Sequence, residues 1–339
     1  MKLVVATLFI ASVFADVTGN HLSENYIKYF DKQNSECQRE RFTNGNLEVP
    51  IRSYVEDGLE IPDYFDARES WPHCHSIKLV TDQANCGANY AMISTSVMSD
   101  RICIHSKGRN QTLVSAEDVI SCGNTKAGFG CYGGHAGNTW TYWHTDGIVS
   151  GGPFGDKKGC KSYSFEPCSH YIEGGINCSS LNPATTPKCS KTCDDPSMDY
   201  EAQKTYGSEP YIILANTTED IQIEIMKNGP VEAALRVYES FNSYSSGIYT
   251  KGENETGGIL YAGKIIGWGV EDSVPYWLVV FSWNESWGDK GLFKIRRGND
   301  EYGIELNITT ALPCLPSAIN MIPRVSVTVL LLSVFSIIL

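Results

Sequence analysis

The chain has 339 residues, enough for one large domain or two medium ones with a substantial core. Hydrophobic residues make up 42% and charged residues 19%, a globular balance that excludes a largely disordered chain. A formal net charge of -12 excludes the basic stripe that nucleic-acid binding needs.

In chain order, Lys2 precedes a largely apolar run from Leu3 to Phe14, and Val13-Phe14-Ala15 ends on a small residue. This predicts a secretory signal peptide over residues 1–15, cut after Ala15 and too short to span a bilayer. Residues 16–60 are polar, rich in Asn and Glu, with a helix-like stretch near Tyr26–Lys32, and read as a short pro-segment. The compact domain is expected to start near Ile61. A long helix is predicted over Ala88–Ile104, with Ala91, Met92, Thr95, Met98 and Ile102 on one face. Ser115 is a candidate N-cap for a second helix. Residues 123–200 are rich in Gly, Pro and Cys and read as loops ordered partly by cross-links. From Tyr211 onward, Tyr211–Leu214, Gly247–Tyr249, Lys264–Trp268, Tyr276–Phe281 and Leu292–Ile295 read as strands, with a helix at Thr218–Lys227. The class is α+β, a helical half followed by a strand-rich half. Val325 to Leu339 carries no charge and runs to the last residue. Residues 314–339 therefore read as a hydrophobic C-terminal tail, a GPI-anchor signal or a membrane anchor, with attachment at Ser317 or just upstream.

Secretion implies an oxidising compartment, so the 12 cysteines are expected to be mostly paired. Six Asn-x-Ser/Thr sequons, at Asn110, Asn177, Asn216, Asn254, Asn284 and Asn307, are expected to carry some N-glycosylation.

Several motifs carry a family resemblance. Ile61-Pro62-Asp63-Tyr64-Phe65-Asp66-Ala67-Arg68 resembles the mature N-terminus of papain-family proteases. Trp71-Pro72-His73-Cys74, Asp100–His105, Val114–Asp118, Gly130-Cys131-Tyr132-Gly133-Gly134, Val149–Gly152, Thr186–Lys191, Gly267-Trp268-Gly269, Pro275–Val279 and Ser282-Trp283-Asn284 are similar to cathepsin B in particular. The resemblance runs in unbroken order over residues 61–313. It implies a two-lobed fold, one lobe helical and the other an antiparallel β-barrel. It also implies the pairs Cys74–Cys103, Cys86–Cys131, Cys122–Cys189, Cys160–Cys193 and Cys168–Cys178. A further family bridge falls on Gly123 and Ala127, so both partners are missing together. Cys37 and Cys314 are left unassigned, and whether they pair with each other stays open.

A cysteine protease needs a thiolate, an imidazole and a group that orients the imidazole. In Cys86-Gly87-Ala88-Asn89-Tyr90 the nucleophile's position holds Asn89, a carboxamide with no ionisable proton. Six residues before Gly267-Trp268-Gly269, the histidine's position holds Tyr261. Before Ser282-Trp283, the orienting position holds Phe281, which offers no hydrogen bond. Gln83, the oxyanion-hole side chain, is retained. Gly133, Gly134, Trp283 and His170 are expected to line the substrate cleft, with His170 paired to Asp82 and Tyr171 standing where a second histidine would bind a substrate carboxylate. Cys86 has Cys131 as its partner, and His135 reads as a surface or packing residue. Ile259, Leu260, Tyr261 and Phe281 beside Trp283 are expected to fill and narrow the cleft, and a glycan on Asn307 to obstruct it.

The chain is therefore read as not an enzyme. It is expected to be a secreted or surface-attached cathepsin B-like pseudoprotease that acts by binding. The alternative is a cysteine-type endopeptidase or exopeptidase working through a rearranged site, and a third reading is a protective surface glycoprotein. Expected partners are a protein or peptide, such as a protease inhibitor or a matrix component, with no nucleic acid, cofactor or metal. The expected route is the secretory pathway, to the exterior, the cell surface or the lysosome.

Overall fold

A 17-residue helix buried on every side organises the molecule. The structure, a computed structural model, describes residues 37, 49–54, 58–171, 176–213, 217–306 and 308–315. The signal-peptide and tail expectations, and the sequons at Asn216 and Asn307, lie outside these residues. No helix among the described residues is long and apolar enough to cross a membrane.

The first elements are β1 (Ile51–Arg52), β2 (Phe65–Asp66) and α1 (Ala67–Ser70), followed by the central helix α2 (Asn89–His105). The helical lobe continues with α3 (Ala116–Cys122), α4 (Asn124–Ala127) and α5 (Ala136–Thr145), then β3 (Ile148–Val149) and β4 (Lys204–Thr205). The strand lobe holds β5 (Tyr211–Ile213), α6 (Thr218–Asn228), β6 (Val231–Val237), β7 (Ile248–Tyr249), β8 (Ile259–Glu271), β9 (Val274–Val280), β10 (Leu292–Arg296) and β11 (Ile308–Thr310).

Buried residues of α2 include Ala91, Met92 and Met98 but also Ser94, Thr95, Ser99, Asp100 and Arg101, so the expected single apolar face is corrected to burial all round. Ser94, Thr95 and Ser99 satisfy their hydroxyls on the carbonyls of Tyr90, Ala91 and Thr95, one turn back. The charged side chains are satisfied across the lobe boundary. Arg101 pairs with Glu224 of α6 at 2.7 Å, and Lys264 of β8 pairs with Asp100 at 2.9 Å, all four side chains fully buried. Removing one partner of such a pair would strand a charge in the interior.

Ser115 caps α3 as expected, accepting from the Asp118 N–H at 3.0 Å. The reading of 123–200 as loops misses α5, whose Trp140 and Trp143 pack inward side by side, 5.8 Å apart. It also misses α4 and β3; β4 falls between the two readings, and the strand reading misses β6 and β11.

The main sheet runs β1-β5-β11-β6-β8-β9-β10-β7, with β2 paired to β8. It is open: among the described residues β1 and β7 stand at opposite ends and do not pair, so the expected closed barrel is corrected. It is not wholly antiparallel either, because β1–β5 and β7–β10 are parallel. β8 is the long spine, pairing with β6 on one side and β9 on the other, with an irregularity between Ile265 and Gly267. Tyr211, Ile213, Leu235, Phe241, Ile265, Trp277, Phe281 and Phe293 belong to the core of this lobe.

All five implied disulfides form, and Cys37 also pairs with Cys314. A Cβ built on Gly123 would lie 2.5 Å from that of Ala127, so the two positions of the missing bridge do stand side by side.

Candidate active-site cleft

Two lobes meet along a cleft with halves on either side of Gln83 and Tyr261. One half, about 360 Å³, is lined by Asn89, Gly133, Gly134, His135, Leu260 and Ala262 among others. The other, about 350 Å³, is lined by His170, Tyr171, Asn177, Leu181 and Trp283 among others. Gly133 and Gly134 thus line the first half, and Trp283 and His170 the second. Tyr261 lines both halves, and Ile259 and Leu260 line the first. Ile259 and Leu260, 66% and 57% exposed, stand out from its rim, and Phe281 is fully buried behind it.

Asn89 begins α2 and reaches across to β8. Its Oδ1 accepts from the Ala262 N–H at 2.5 Å, and its Nδ2 donates to Ala262 O at 3.0 Å and to Ser282 Oγ at 2.9 Å. Ser282 Oγ donates in turn to Gln83 Oε1 at 2.8 Å, while Gln83 Nε2 donates to Cys86 O at 3.0 Å. The oxyanion-type amide is therefore held from both ends. Such pre-positioning is what lets a donor stabilise developing negative charge.

Tyr261 sits on β8 opposite Leu235 of β6, with its ring 5.8 Å from Trp283 and 5.6 Å from Phe281. Burial pushes its phenol up from the usual range. Phe281 follows β9 and packs edge-on against Trp283 at 4.8 Å and Phe241 at 5.2 Å. Burying an aromatic ring in such a cluster adds edge-to-face attraction to the apolar burial.

The loop beyond is fastened through Asp82. His170 Nε2 lies 2.6 Å from Asp82 Oδ1, as expected, and Asp82 Oδ2 accepts from Asn284 Nδ2 at 2.7 Å and from the Cys168 N–H at 3.1 Å. Burial works to raise the Asp82 carboxyl, but the hydrogen bond and charge of His170 and the Asn284 amide together hold it below the usual range. The His170 ring stacks on Trp283 at 5.5 Å, and Tyr171 leans on the same indole at 5.2 Å.

Cys168, His170 and Cys178 come together closely enough to suggest metal ligands, but the two sulfurs are joined as a disulfide. There is no free cysteine among the described residues, and Cys86 is paired with Cys131. His135 is exposed and its Nδ1 caps α5 at the Gly137 N–H, in line with its reading as a surface residue. Of the sequons, Asn177 and Asn254 are exposed and Asn110 half-buried, whereas the Asn284 amide is taken up by Asp82 and Cys168 O.

Sequence reasoning missed Ser282 and Ala262. Ser282 adjoins the tryptophan motif, so its place beside Gln83 had a signal. Ala262 acts through its backbone and had none.

Residues 61–312 match the family described as "Papain family cysteine protease". The chain is 43% identical over 284 residues to a "Cathepsin B-like cysteine proteinase" of Schistosoma japonicum, covering 83% of this chain and 80% of that protein. It is 42% identical over 273 residues to "Cathepsin B-like cysteine proteinase 6" of Caenorhabditis elegans, covering 78% and 70%. The solved structure of "proCathepsin B S9 from Trypanosoma congolense" matches with a TM-score of 0.65 and 30% identity, over 86% of this chain and 98% of that one. These relatives correct the expectation that the chain is not an enzyme: proteins alike over most of its length are named proteinases. The expectation weighed three side chains, at 89, 261 and 281, above a scaffold that matches a peptidase family over residues 61–312. This chain is a cathepsin B-like member of the papain family of cysteine proteases.

Proposed function

We propose that the protein engages extended polypeptides in the interlobe cleft, as a cathepsin B-like member of a peptide-hydrolysing family. The observation that carries this reading is the Gln83 amide, fixed by Ser282 and Cys86 at the point where both halves of an open groove meet. The relatives' names favour hydrolysis as the use made of a held peptide. On this cleft the attack would come from a group other than the carboxamide of Asn89, because an amide offers no thiolate or alkoxide.

A second reading, retention of the bound peptide or of a protein such as an inhibitor, is favoured by the three hydrogen bonds that commit Asn89 to Ala262 and Ser282. The six disulfides and the family point to the secretory or lysosomal route.

The test is to incubate purified protein with a fluorogenic peptide library from acid to neutral pH, following cleavage and binding together. Turnover in proportion to protein, reduced by Gln83→Ala, supports hydrolysis. Saturable binding with the peptides recovered whole supports retention. Neither turnover nor binding removes the cleft from consideration.

A further inference from the structure

Residues 49–54 precede the family domain, yet they add a strand to it away from the cleft. β1 lies parallel to β5, with Ile51 beside Ile212 and Arg52 beside Ile213, and the Ile212 N–H donates to Pro50 O at 2.9 Å. Three consecutive side chains then meet fixed groups of β5 and α6. The Arg52 guanidinium lies over the Tyr211 ring, 3.6 Å from its centroid. Ser53 Oγ donates to the Asp220 carboxylate at 3.1 Å, and the Tyr54 N–H donates to the same group. The Tyr54 hydroxyl donates to Glu224 Oε2, with the Lys227 ammonium 5.2 Å from the Tyr54 ring centroid. Asp220 and Glu224 are both fully buried. None of these residues lines either half of the cleft.

We infer that the corner between β5 and α6 is a second peptide-binding site, built for an extended Arg-Ser-Tyr segment and filled in this chain by its own residues 49–54. Main-chain pairing along a sheet edge supplies affinity, and side-chain pockets supply selectivity. Here selectivity comes from an aromatic face for a cation and two buried carboxylates for donors. Emptying the corner takes donors away from Asp220 and Glu224, so occupancy is favoured. The Cys37–Cys314 disulfide ties the chain ahead of the segment to the end of the domain. A cut between residues 54 and 61 therefore leaves the strand attached, and the inferred pro-segment stays as part of the working protein.

The test uses the full chain with Cys37→Ser and Cys314→Ser, and a site-specific protease sequence placed at the exposed Gly58–Glu60. After cutting and gel filtration, a labelled synthetic peptide of residues 49–54 is titrated in and followed by fluorescence anisotropy. Saturable rebinding is expected, weakened about tenfold by Arg52→Ala or Tyr54→Phe in the peptide. No rebinding to a cut protein that keeps its circular dichroism overturns the inference. Should the cut protein unfold, hydrogen exchange in the uncut natural chain decides. A protected Ile212 amide that exchanges faster in Tyr54→Phe supports the site, and an unprotected one overturns it.

Discussion

Asn89 and Ala262 pair across the lobe boundary as two strand residues would, the side-chain amide of one matching the backbone N–H and C=O of the other. The first residue of the central helix is thereby fastened to the spine of the sheet, and through Ser282 to Gln83.

Asn89→Ala leaves the buried Ala262 backbone and Ser282 short of partners. The expected cost is about 1–3 kcal/mol. Urea unfolding should show a lower midpoint with an unchanged slope. An unchanged midpoint would mean that the lobes do not rely on this contact.

Phe281→Asn places an amide in a fully buried aromatic cluster formed with Phe241, Trp283, Trp287 and Phe293. The expected loss is about 3–5 kcal/mol, the range for emptying a buried aromatic site. Thermal unfolding of Phe281→Asn beside Tyr261→His, which changes a half-buried residue, separates the two positions. The first should fall far more than the second.

Glu232 gives the molecule a pH dependence. It is buried on β6, and burial pushes its carboxyl up to about 8, although Trp140 Nε1 donates to it and Ser94 Oγ lies against the same oxygen, both at 2.7 Å. A glutamate in the unfolded chain releases its proton near 4.5. Between those values the folded state binds more protons, so stability is greatest below about 4.5 and falls as pH rises through about 8. Glu232→Gln should flatten that decline relative to the natural chain. Parallel curves for the two proteins would show that the group does not titrate on unfolding.

The His170–Asp82 contact should govern access to Trp283, which is 2% exposed beneath His170 and Tyr171. Asp82→Asn removes the charge on which the loop is gathered. Acrylamide quenching should rise in Asp82→Asn but not when Trp283→Phe is added. Equal quenching in the natural and Asp82→Asn proteins would show that the loop holds without the pair.

The three altered positions of the cleft were legible because each lies at a fixed spacing from a motif, and the five implied disulfides followed from the same register. The environment of those positions was not legible. Phe281 was expected to fill the groove, but it follows β9 and is fully buried in the aromatic core, while Ile259 and Leu260 at the start of β8 are exposed along the groove's edge. Helix α5 was hidden by the Gly and Asn around it, although Trp140, Trp143 and His144 already carry helical spacing. β1 is two residues long, below what alternation can reveal. One signal for its corner was available: Asp220 and Glu224, four apart on α6, are both buried among the isoleucines Ile221, Ile223 and Ile225.

The Cys37–Cys314 bridge also changes the topology of the molecule. It closes the polypeptide between those residues into a covalent ring. A single backbone break anywhere inside that ring converts a loop into a line without releasing a fragment. In surroundings rich in proteases, one nick would alter the protein's pattern on a reducing gel and leave its mass nearly unchanged.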